Sequence, residues 1–203
     1  MPDLIWFEYQ LFVDDKQERT GDEPRFEFYF VNIFNNVARA TVVDTGVLEV
    51  NMRSISSPST DSSIGRQRLH PPLAPSTDNP FLAMAVRAFE HDDTPASSRY
   101  NLQDTVLQRI EEMYNPLLRA GRRPSLGDLW TVVNNAPLPS EGDADERIGV
   151  SVREYPTFGR DLIRDGTRRN LTLAGRTDDA FAFSQSSARW RMPFYFAHQF
   201  LPE

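Results

Sequence analysis

Apolar residues recur at every second position over several stretches of this chain. In residues 4–13, Ile5, Phe7, Tyr9, Leu11 and Val13 fall on one face, with Trp6, Glu8, Gln10 and Phe12 on the other. That period of two predicts a strand. A polar run from Asp14 to Pro24 follows, with Gly21 as its turn residue. Alternation returns from Arg25 to Phe34: Phe26, Phe28 and Phe30 point one way, Tyr29, Val31 and Ile33 the other. Asn35-Asn36 is turn chemistry. Strands are expected over 38–43 and 46–52, or one strand with a break at Gly46.

The pattern then lapses. Residues 53–80 are rich in Ser, Thr and Asp, with Pro58, Pro71, Pro72, Pro75 and Pro80, and predict a long Pro/Ser-rich loop. Residues 81–89 alternate again, Leu82, Met84, Val86 and Ala88 against Phe81, Ala83, Ala85, Arg87 and Phe89. Next the period lengthens. Leu102, Val106, Ile110, Met113 and Leu117 follow helical spacing, with Asn101 as a cap and Pro116 as a boundary. A second helix follows Pro124: Ser125 and Asp128 match a capping box, and Leu126, Leu129, Trp130 and Val133 form its stripe.

Residues 134–147 read as polar loop, and Ile148, Val150, Val152 and Tyr155 resume the strand pattern. Further strands are expected over 170–174, 180–184 and 187–200, the last with Trp190, Met192, Phe194, Phe196, His198 and Phe200 on one face. About eight short alternating strands predict a mainly β fold, an antiparallel β-sandwich with a two-helix insertion. The expected organisation is one domain over 1–203, carrying the loop at 53–80 and the insertion at 94–142. A ferredoxin-like α+β domain is the alternative, but it requires a more regular alternation of helices and strands.

Composition narrows the chemistry. The chain has no cysteine, so disulfides and thiol catalysis are excluded. No run of about 18 apolar residues occurs, so no transmembrane helix is expected. Acidic residues outnumber basic ones, 29 to 22, for a net charge of −7. Nucleic-acid binding is not expected of so acidic a chain. The Arg-rich segments at 119–123 and 160–169 read as solvated surface. The first six residues lack the pattern of a cleaved secretory signal, so a cytoplasmic chain or signal-less export is the expectation. Phosphate-loop, dinucleotide, nucleophile-elbow and zinc-protease motifs are all missing. His70, His91 and His198 fall in separate segments without a metal-ligand spacing.

Acidic runs are the remaining chemistry. Glu90-His91-Asp92-Asp93 ends one strand, and Asp143-Ala144-Asp145-Glu146 precedes the next. Calcium takes six to eight oxygens, which loop carboxylates supply without rigid geometry. Asp14, Asp15, Asp22 and Glu23 form a third acidic loop. Phe89, Glu90, Asp92 and Asp93, followed beyond the insertion by Asp145, Glu146, Ile148 and Gly149, resemble the C-two-type, calcium-dependent lipid-binding β-sandwich domains. Asp22-Glu23-Pro24 ahead of a strand is similar to that family's acidic early loop. The resemblance implies a sandwich fold and a calcium site formed by Glu90, Asp92, Asp93, Asp143 and Asp145. No Lys-rich lipid-binding strand accompanies it; Lys16 is the only lysine.

Three functional readings are compatible with these features. The first is a non-enzymatic binding or interaction module with a protein partner, stabilised by calcium at its acidic loops. The second is a structural subunit of a larger assembly, such as a phage or a secretion apparatus. The third is a hydrolase using loop carboxylates, as a glycosidase would.

Overall fold

Where apolar residues alternate on both faces, a strand can be buried on both sides, and Pro24–Phe34 is such a strand. The chain forms β1 (Leu4–Asp15), β2 (Pro24–Phe34), β3 (Val37–Val47), β4 (Ser62–Leu69), β5 (Leu82–Glu90), α1 (Ala96–Arg119), α2 (Leu126–Asn134), β6 (Glu146–Tyr155), β7 (Thr172–Leu173), β8 (Ala180–Gln185) and β9 (Ala188–Gln199). This computed structural model describes residues 4–15, 24–47, 62–69, 81–90, 96–137, 146–156, 172–173, 180–185 and 188–199; side chains are described for 24–46, 81–90, 98–137, 147–156 and Met192.

One antiparallel sheet has the order β3-β2-β5-β6. A second has the order β4-β1-β9-β7, with β8 also paired to β9. The long loop expected over 53–80 is interrupted: Ser62–Leu69 pairs antiparallel with β1, from Ile5↔Leu69 to Phe12↔Ser62. Its residues carry no clean alternation, because the backbone ladder depends on pairing and not on side-chain pattern. Residues 53–61 and 70–80 lie outside the described residues.

Local chemistry explains the turns. Asn35 (φ 49°) and Asn36 (φ 59°) both occupy the left-handed region that a two-residue hairpin requires, joining β2 to β3. The predicted break at Gly46 is a bulge within a single strand. Arg25 opposes Val47 while Glu27 opposes Asp44, so β3 holds one extra residue there, and Gly46 has φ 65°. Of the strand expected over 46–52, residues 46–47 belong to β3 and residues 48–52 lie outside the described residues.

Helix α1 begins at Ala96, before the predicted cap Asn101, and runs through Pro116 to Arg119. Proline removes one ladder donor, yet the helix continues for a turn and closes on Gly121 (φ 70°). The Gly121 N–H donates to the Leu118 carbonyl and the Arg122 N–H to the Leu117 carbonyl, a Schellman closure. Helix α2 starts as predicted: the Asp128 N–H donates to Ser125 Oγ (3.2 Å) and the Ser125 N–H to Asp128 Oδ2 (2.8 Å).

Both helices lie on one face of the four-stranded sheet. Tyr29, Val31 and Ile33 of β2, Ala38 of β3 and Phe81, Ala83 and Ala85 around β5 pack against Val106, Ile110 and Tyr114 of α1 and Leu129 and Val133 of α2. The opposite face is buried too. Phe26, Phe28 and Phe30 form a stacked ladder beside Leu82, Met84, Val86 and Ala88, all at 0% exposure.

The helices also cover the sheet edges, whose free N–H and C=O groups would otherwise invite another strand. Asn115 Oδ1 accepts from the Ala38 N–H (2.8 Å) and its Nδ2 donates to the Ala38 carbonyl (3.4 Å). Glu111 Oε1 accepts from the Ala40 N–H (3.0 Å). One turn of helix advances about 6 Å in four residues, close to two residues of strand. Gln103, Glu111 and Asn115 therefore meet Asp44, Ala40 and Ala38 along one line. At the other edge, the Trp130 indole N–H donates to the Val150 carbonyl (3.3 Å). Among the described residues, no helix is long and apolar enough to cross a membrane.

Candidate functional site

The helix-covered face changes character toward the start of β2. On β2 the odd positions run from Ile33, Val31 and Tyr29 to Glu27 and Arg25; on β5 they run from Ala83 and Ala85 to Arg87 and Phe89. Cross-strand pairing sets Glu27 against Arg87 and Arg25 against Phe89. Arg25, Glu27 and Arg87 are 1%, 3% and 1% exposed, so each charge there requires a partner.

The partners are present. Arg25 holds Asp44 as a fork: Nε donates to Oδ1 (3.0 Å) and Nη2 to Oδ2 (2.6 Å). The same Nη2 donates to Glu27 Oε1 (2.7 Å). Glu27 also accepts from the Tyr29 hydroxyl (2.6 Å) and from Gln103 Nε2 (3.0 Å), and Arg87 Nη1 lies 3.5 Å from its other oxygen. Gln103 Nε2 further donates to Asp44 Oδ2 (2.7 Å), so α1 closes the cluster from above. The Phe89 ring lies beneath both guanidinia, 5.5 Å from Arg25 and 4.7 Å from Arg87, within cation–π range.

The bulge in β3 aims Asp44 inward. The Gly46 N–H donates to Asp44 Oδ1 (2.9 Å), and Thr45 Oγ1 accepts from the Phe26 N–H (3.0 Å). Burial alone would raise the Asp44 carboxyl. Hydrogen bonds from Arg25 and its charge, with the Gly46 N–H and Gln103, outweigh it and hold Asp44 below the usual carboxylate range. Burial, and then the charge of Glu27, push the Tyr29 phenol well above its ordinary value. Such a network fixes geometry and leaves little acceptor capacity on Glu27 for anything else.

One further guanidinium, that of Arg147, reaches the end of α2, and Arg87 of the cluster reaches the chain just beyond it. Arg147 Nη1 donates to the Asn134 carbonyl, and Arg87 Nη2 to the Pro137 carbonyl (3.2 Å). Cationic side chains on the last carbonyls of a helix satisfy acceptors that have no intrahelical partner.

Sequence reading noted Arg87 within an alternating strand but missed this cluster. The signal was present: Arg25, Glu27 and Arg87 share the parity of Tyr29, Val31 and Ala85, which are core positions. Of the five carboxylates expected to bind calcium, only Glu90 is described. It ends β5, is 4% exposed, and pairs in register with Pro24 on one side and Glu146 on the other. Asp92, Asp93, Asp143 and Asp145 lie outside the described residues. Among the described residues, no three His, Asp or Glu side chains gather as a metal set.

Comparison with family models, with curated proteins and with solved structures finds no match.

Proposed function

We propose that this chain is a non-enzymatic binding or interaction module: an antiparallel β-sandwich whose acidic strand ends hold one calcium ion and steady the helical insertion. The observation that carries it is a single row of backbone pairing, Pro24–Glu90–Glu146, across three strands. Asp22 and Glu23 directly precede the first, Asp92 and Asp93 closely follow the second, and Asp143 and Asp145 closely precede the third. Calcium is the ion that irregular, carboxylate-rich loops suit.

The sandwich arrangement is supported by the burial of the second face of β2 and β5 in the four-stranded sheet and by contacts of β3 with β4 and of β6 with β8 at the sheet margins. An interaction role is supported by the hairpin tip, where Phe34 and Val37 are 55% and 40% exposed. The commitment of Glu27 and Asp44 to internal donors supports a non-catalytic reading of the cluster.

Thermal unfolding with added calcium tests the proposal. Binding to the folded state raises the melting temperature by mass action. The rise is expected in the wild type and is lost in Asp92→Asn/Asp145→Asn. An unchanged melting curve at about 1 mM calcium, the affinity range of the weaker natural sites, would remove the ion from this reading.

A further inference from the structure

We propose that Arg87 and Arg147 together form a seat for a small oxyanion of the phosphate class, at the junction of β5, β6 and the end of α2. The two arginines sit on adjacent strands, Arg87 opposite Val150 and Phe89 opposite Arg147. Each spends one nitrogen on a backbone carbonyl, at Pro137 and at Asn134. Those carbonyls are three residues apart, which brings the guanidinia together at one helix end.

Their remaining donors are not matched. Arg87 is 1% exposed, yet its Nε has no hydrogen-bond partner. Its nearest carboxylate, Glu27 at 3.5 Å, already accepts from Arg25, Tyr29 and Gln103. A guanidinium carries five donors, so both arginines hold unused ones. Among the described residues, no carboxylate forms an ion pair with Arg147. Burial, and then the positive charge of Arg87, lower the Arg147 guanidinium from its ordinary value.

An oxyanion supplies what is missing. It offers several acceptor oxygens to donors arriving from different directions, and arginine forks match that geometry. Arg147 is only half-buried, so the seat opens to solvent on its side.

The test uses the full chain in calcium-free chloride buffer at constant ionic strength, with inorganic phosphate replacing chloride. The melting temperature should rise with phosphate, and calorimetric titration should give saturable binding. Arg147→Gln should abolish the rise. Arg122→Gln, at an exposed arginine away from the cluster, should keep it. Should Arg147→Gln fail to fold, Arg147→Lys retains the charge without the fork and should weaken phosphate binding at least about tenfold. A wild type whose melting curve ignores about 10 mM phosphate overturns the proposal, as does an Arg147 variant that binds phosphate as the wild type does.

Discussion

The two ends of one sheet face solve the same packing problem differently. At the end near the β2–β3 hairpin, the side chains of Val31, Ile33, Ala38, Phe81 and Ala83 bury against Ile110 and Tyr114, and α1 adds edge hydrogen bonds of Glu111 and Asn115 with the β3 backbone. At the other, the same strands and the same helix enclose Arg25, Glu27, Arg87, Asp44 and Gln103. Apolar packing is non-directional and tolerates substitutions that keep volume. A buried ionic network is directional and fails when one member is lost, because the others remain charged and out of water. The apolar end therefore accounts for stability in bulk, and the ionic end sets how α1 lies over β3.

The largest expected effect is at the ionic end. Glu27→Ala removes the carboxylate that faces Arg87 and accepts from the Tyr29 hydroxyl and from Arg25, and should cost about 3–5 kcal/mol in urea unfolding. Ile110→Ala, at the apolar end, should cost about 2–5 kcal/mol through lost transfer energy and a cavity. A rescue experiment separates the two ends. Replacing Arg25, Glu27, Asp44 and Arg87 together by apolar residues of similar volume should recover much of the Glu27→Ala loss; no comparable rescue exists for Ile110. A quadruple variant less stable than Glu27→Ala would break the distinction.

A smaller effect is expected at the strand edge. Glu111→Ala/Asn115→Ala leaves the Ala38 and Ala40 N–H groups without acceptors, and should cost about 1–3 kcal/mol. Exposed edges also pair with other chains, so size-exclusion chromatography should show more self-association than in the wild type.

Smaller still, the two ends should differ in pH response. Asp44 titrates below its unfolded value, so its contribution is present above that value, near 4, and is lost as pH falls through the folded pKa. The stability gap between wild type and Asp44→Asn should therefore narrow in acid. Tyr29 titrates above its unfolded value, so its contribution is present below about pH 10 and declines as pH rises further. Ile110→Ala should show a pH-independent deficit. Least of all, Ser125→Ala removes an exposed cap and should lower the melting temperature by a few degrees.

Much of the four-stranded sheet was legible in sequence because its alternation is strong. The two-sided burial of β2 follows from Phe26, Phe28 and Phe30 opposite Tyr29, Val31 and Ile33. The cap at Ser125 was legible because capping is local. Strand β4 was not, since its place comes from pairing with β1 and its own residues have no consistent face. The helix through Pro116 was not, because tertiary contact through Asn115 carries it past a residue that local rules treat as a stop. The ionic cluster was half-legible. Charges on core parity were visible, but the partners Asp44 and Gln103 come from β3 and α1, and no local pattern joins them.

The line of contact between α1 and β3 behaves like a vernier. From Gln103 to Asn115 the helix advances about 18 Å, while Asp44 to Ala38 spans about 20 Å of strand. The mismatch over the whole line is about 2 Å, small enough for side chains to absorb. One residue added to or deleted from α1 between these contacts would rotate the remainder of the helix by about 100° and misalign every contact beyond that point. A tolerated length change must add about four residues to the helix for every two in the strand. Two segments far apart in the chain are thus bound to vary in length together.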